Sequence, residues 1–149
     1  MTGSVVITDF LNGSIQAATT IIPLSNTLGI PVRVTVPILQ PEMGVLIGVS
    51  GAVQGSLILE GKTSTFGMLG KTMFGFDLES EMLHSFVGEF GNMIAGNMST
   101  FLSQRNLFVD ITPPVVMNRE TSLEGYNETL RVPIDIHEAG AINMILLLK

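Results

Sequence analysis

The chain has 149 residues, a formal net charge of −6 and a pI near 4.7, which suits one domain with a sizeable core and excludes a binder of phosphate backbones, since that needs a basic stripe. It contains no cysteine, which removes disulfides, thiol nucleophiles and thiolate metal sites. The two histidines, His84 and His137, have no ligand-like spacing to acids, so no metal centre or cofactor of its own is expected.

Charged residues make up 13% of the chain, against about 25% in typical soluble domains. The shortfall is uneven, because before Glu60 the only charges are Asp9, Arg33 and Glu42. A half so poor in charge is buried within the chain or covered by a second copy, and a homodimer is expected. No apolar run reaches the roughly 18 residues of a membrane span. The first residues lack the basic region of a signal peptide, so a cytoplasmic setting without membrane or nucleic-acid partners is the expectation.

In chain order, residues 7–22 place apolar side chains at 7, 10, 11, 15, 18, 21 and 22, which is helical spacing ended by Pro23 and Gly29. Residues 32–39 alternate and predict a strand, with Pro37 at an edge or bulge. Residues 45–50 and 55–60 flank a glycine-bearing turn and predict a hairpin. A short helix over 63–73 and a break at 75–77 precede a long helix over about 78–104. Strands are predicted over 107–111, 114–117, 129–136 and 141–148, and the polar stretch 118–128 reads as an exposed loop. The nine methionines read as core filler.

The long helix carries the most informative pattern. At about 100° per residue, Ser85, Gly88, Glu89, Asn92, Gly96, Ser99 and Ser103 share roughly a third of its circumference. Leu83, Val87, Phe90, Ile94, Met98 and Phe101 cluster opposite and must be buried. A solvated helix face is normally stocked with Lys, Glu and Arg. This one holds one acid, one amide, hydroxyls and glycines. Glycine inside a helix costs about 1 kcal/mol relative to alanine, so Gly88 and Gly96 imply close approach of another surface. That surface is a partner protein or the crossing 7–22 helix.

Residues 51–60 resemble 140–149, and 32–39 resemble 109–116. The offsets of 89 and 77 residues differ by 12, which the polar loop absorbs. The expected fold is therefore α+β: one domain over 1–149 built as a pseudo-repeat (roughly 5–60 and 78–149) of a long helix plus three strands. The sheet is mainly antiparallel, with helices on one face. At the shorter offset, Thr8, Asn12 and Ile15 stand where the second half has Ser85, Glu89 and Asn92. Only the second half keeps the polar stripe, giving one site per chain.

With Ser85, Glu89, Asn92 and the pair Pro113–Pro114 in this order, the chain resembles the CheC/CheX/FliY family of chemotaxis phosphatases, and within it the CheX-like members. The family pattern is an Asp or Ser, three residues, Glu, two residues, Asn, and after about 22 residues a Pro. Here Pro114 follows Asn92 after 21 residues, so Pro113 and Pro114 both stand as the motif proline. The run 92–97 is also very like the segment after the motif Asn in CheX-like proteins.

The resemblance implies a phosphatase for the aspartyl phosphate of CheY-like response regulators, a homodimer, and Mg²⁺ held by the regulator. On it, Asn92 positions the attacking water and Glu89 docks on the regulator's active-site lysine, as the catalytic pair. Ser85, Gly88, Gly96 and Ser99 then admit the partner, and Pro114 shapes the adjoining loop. The alternative is a binding module of the same fold, for a response regulator or a flagellar switch component, that hydrolyses nothing. The plainer readings are a solvated Glu89, a surface or capping Asn92, a surface His84 and a structural Asn97.

Overall fold

The structure, a computed structural model, describes residues 3–35 and 38–149. The described residues form helices α1 (Gly3–Ile21), α2 (Thr63–Phe74) and α3 (Ser80–Ser103). The strands are β1 (Asn26–Leu28), β2 (Val32–Arg33), β3 (Ile38–Leu39), β4 (Met43–Gly51), β5 (Gly55–Gly61), β6 (Val109–Ile111), β7 (Val115–Met117), β8 (Thr121–Ser122), β9 (Glu128–Ile136) and β10 (Gly140–Leu148). This is the expected α+β class. None of these helices is long and apolar enough to cross a membrane.

The main sheet runs β1-β9-β10-β5-β4-β6, with β2 also on β9 and β7 also on β4, and all of its pairings are antiparallel. The order is symmetric about the β5–β10 pair. On each side a long hairpin is capped by short strands from the other half of the chain: β1 and β2 on β9, β6 and β7 on β4. The two halves are thus interleaved across one sheet.

One face of the sheet carries the helices. Phe10, Ala17 and Ala18 of α1 and Val87, Phe90, Ile94 and Met98 of α3 pack with Val45, Leu57, Leu59, Val132, Ile134, Met144 and Leu146 of the strands. Glycines set two of the close approaches. A Cβ on Gly91 would lie 2.5 Å from Cγ1 of Val45, so α3 seats its backbone on β4 there. A Cβ on Gly13 would lie 2.7 Å from the Phe101 ring, which places α1 against α3. Phe101 is half-buried rather than buried, with the Arg105 guanidinium over its ring at 3.8 Å from the centroid.

On the other face, most of the expected exposed loop is exposed, but Leu123 within it is buried. Residues 118–128 fold back over the sheet, and β8 pairs with β3. Leu123 and Tyr126 cover Ile58, Ile145 and Leu147, and the Tyr126 hydroxyl lies 3.0 Å from Ser56 Oγ. This cover explains why β5 and β10 are apolar almost without alternation, since strands buried on both faces need no polar side. The expected single strand 32–39 is instead two two-residue pieces, β2 and β3, and the Pro37 expectation lies outside the described residues. Strand β1 was not expected; its Asn-Thr-Leu sequence is too short to show a period.

Candidate active site

Helix α3 is entered through a tight reversal after α2. Gly75 takes a left-handed conformation (φ 83°) and its N–H donates to the Lys71 carbonyl at 2.7 Å, closing α2. The chain then folds back so that Leu78 lies against Gly70, where a Cβ would come within 2.5 Å of the Leu78 side chain. Glu81 in the first turn of α3 complements the helix dipole. An aromatic chain anchors this corner: Phe90 packs on Phe66 and Phe86, and Phe86 packs edge-on against Phe74 at 6.0 Å.

The structure divides the sequence-predicted stripe. Ser85 and Glu89 are exposed, and Asn92, Gly96, Ser99 and Ser103 are half-buried. Glu89 and Asn92, three residues apart, lie on the same side within reach of one ligand. Among the described residues, no hydrogen bond or ion pair holds the side chain of either. His84 is exposed and Asn97 is half-buried.

Gly88 is a correction: it is buried, not part of the wet face. A Cβ there would meet Val116 Cγ2 at 3.3 Å and Pro114 Cγ at 3.7 Å, so its close neighbour is the start of β7 rather than a partner or α1. At Gly96 a Cβ would meet nothing within 4 Å, so among the described residues neither α1 nor any other element claims that space.

The proline pair is explained by the same contact. Val49 pairs with Ile111 and Leu46 with Val115, leaving three residues (Thr112, Pro113, Pro114) opposite two on β4. This is a bulge, and two residues without an N–H suit it. Thr112 pins it, its Oγ1 accepting from the Gly48 N–H at 2.8 Å and its N–H donating to the Gly48 carbonyl. The bulge leaves Pro113 exposed and brings Pro114 to α3 at Gly88, one residue before Glu89. Of the two prolines, Pro114 is the one that lies against α3.

Sequence reasoning missed what lies on the N-terminal side of Glu89. Ser85 and Glu89 form one wall of an open groove of about 460 Å³ whose remaining walls include Met73, Phe74, Met82 and Met93. Met98 and Met144 are core residues as expected, but these three methionines are groove lining, which corrects the reading of all methionines as filler. The available signal was the crowding of Met and Phe at 68–82, a helix end and a turn with little room for a core of their own.

A family model described as "Chemotaxis phosphatase CheX" matches residues 43–135, which include Ser85, Glu89, Asn92 and Pro114. The chain is 32% identical over 108 residues to the CheY-P phosphatase CheX of Thermotoga maritima, covering 70% of each sequence. Among solved structures, a CheX from Desulfovibrio desulfuricans superposes with a TM-score of 0.81 at 18% identity, covering 97% of this chain and 99% of that one. The CheX in a CheX–CheY–BeF₃–Mg²⁺ complex from Borrelia burgdorferi superposes with a TM-score of 0.76 at 23% identity, covering 96% and 97%. This chain belongs to the CheX family of chemotaxis phosphatases.

Proposed function

We propose that the protein hydrolyses the acyl phosphate on the aspartate of a CheY-like response regulator, with Asn92 positioning water and Glu89 docking. The observation that carries this reading is the Glu89–Asn92 pair: two unpartnered polar side chains side by side on α3, in the family whose curated relative is a CheY-P phosphatase. The cofactor is the regulator's own Mg²⁺, which together with the regulator's lysine screens the phosphoryl charge. Water attacks phosphorus in line, the bond from phosphorus to the aspartate oxygen breaks, and inorganic phosphate leaves a free carboxylate. An acyl phosphate is already reactive, so the enzyme's task is placement rather than covalent chemistry.

A carboxamide suits that task, because its oxygen accepts from the water while its nitrogen donates to a neighbouring group. Glu89, one turn earlier, pairs with the regulator's lysine and sets the register of docking. Ser85, Gly96 and Ser99 give the partner access along the helix, while Gly88 and Pro114 act from beneath by fixing where α3 sits. The protein works as a homodimer in this reading. Its support is the charge-poor first half and the exposed apolar side chains of Ile30 (82% exposed), Val32 and Ile38 on it.

The test is loss of phosphate from a CheY-like receiver charged with acetyl phosphate. Asn92→Ala is expected to keep receiver binding and to lose about a hundredfold or more in turnover. An Asn92→Ala protein as active as wild type would sink the assignment, and binding without acceleration by the wild type would make the chain a docking module.

A further inference from the structure

We propose that the apolar groove at the junction of α2 and α3 is a second docking element for the same phosphorylated receiver. It takes a large apolar side chain that has lysine or arginine beside it. The inference rests on the reading of Glu89 and Asn92 given above, and adds to it what selects the receiver.

Three observations carry it. The groove is continuous with the proposed site, since Ser85 and Glu89 line both. Met82 and Asn92 are ten residues apart on one helix, about 15 Å along its axis. A specific interface covers about 800 Å² on each partner, so a receiver docked at Asn92 is large enough to cover Met82 as well.

The groove also holds apolar surface that no described residue covers. Of its lining, Met73, Phe74 and Met82 stay exposed, Phe74 and Met82 to 55% and 54%, and Met68 and Phe76 add exposed apolar surface nearby in sequence. Unbranched thioethers around an aromatic floor adapt to an inserted side chain and reward it with contact area. Finally, the charge lining the groove is acidic. Glu81 and Glu89 line it and Glu79 stands at the start of α3, while Asp77 and Lys71, 3.6 Å apart, offset one another. An apolar anchor with basic neighbours fits this rim, and an acidic one is repelled.

The experiment titrates the organism's CheY-like receivers, charged with Mg²⁺ and beryllofluoride, against wild type, Met82→Asp, Met82→Leu and Asn92→Ala. Steady-state dephosphorylation is measured in parallel, and circular dichroism verifies that each variant is folded. Met82→Asp is expected to weaken Kd and raise KM about tenfold or more, with the loss in KM and not in kcat, and Met82→Leu is expected to restore both. Asn92→Ala is expected to do the reverse, losing kcat while keeping Kd. Wild-type affinity in Met82→Asp overturns the groove proposal, even if Asn92→Ala abolishes turnover and so upholds the catalytic reading. Loss of receiver binding in Met82→Asp upholds the groove even if the wild type hydrolyses nothing. A Met82→Asp protein that binds receiver normally but no longer self-associates assigns the groove to a second copy of this chain and overturns the proposal.

Discussion

Three glycines of α3 do different work, and their surroundings decide which. Gly91 sits where β4 leaves no space for a Cβ, and Gly88 sits under Pro114 and Val116. Gly96 has open space, and its φ lies in the ordinary negative range. Among the described residues nothing explains Gly96, and the proposed approach of a partner would supply its reason. Gly96→Ala is therefore expected to stabilise the fold by about 0.5–1 kcal/mol, through helix propensity and a less flexible unfolded chain. The same substitution is expected to weaken binding to the charged receiver. Urea unfolding and receiver titration read the two effects separately, and a gain in stability with unchanged affinity would put Gly96 outside the interface.

At the scale of elements, α2 is held at its start by a residue far from it in sequence. Its N-cap residue, Lys62, offers no side-chain acceptor, and the Thr63 N–H donates instead to Oε1 of Glu42 at 2.8 Å. That hydrogen bond from the Thr63 backbone, aided by the Thr63 side chain, holds the Glu42 carboxyl below its ordinary 4.5. Because the folded value is the lower one, the cap stabilises the protein above the unfolded value and is lost as pH falls through the folded value. The stability gap between wild type and Glu42→Gln is thus expected to be open above the ordinary carboxylate value and to close as pH falls below it. Urea midpoints across that range measure it, and a gap independent of pH would contradict the cap. The consequence reaches the site, because α2 carries the Met73 and Phe74 wall of the groove.

For the whole molecule, the interleaved sheet makes the site a joint product of both halves. Helix α3 belongs to the second half but rests on β4 of the first, and Pro114 reaches Gly88 only because β6 and β7 pair with β4. The proposed dimer belongs to this scale too. Sedimentation at micromolar concentration is expected to give about twice the 16.0 kDa chain mass. A monomer there would leave the charge-poor half and the exposed Ile30 without their cover.

The sequence by itself determined what local periodicity can encode. It placed α3 with its apolar face, put Glu89 and Asn92 on one side of it, and marked the β4–β5 hairpin and the long strands β9 and β10. These follow from a 3.6- or 2-residue repeat and from turn chemistry, which act within a few residues. Only the tertiary structure decided which surface lies against each face. It buried Gly88 under Pro114, singled out Pro114 over Pro113, folded 118–128 over the sheet through Leu123, and left Met73, Phe74 and Met82 as groove rather than core. All but the groove depend on strand pairings between residues some sixty or more positions apart, such as Leu46 with Val115. A helix face written in sequence states that something must approach it, and long-range pairing settles what does.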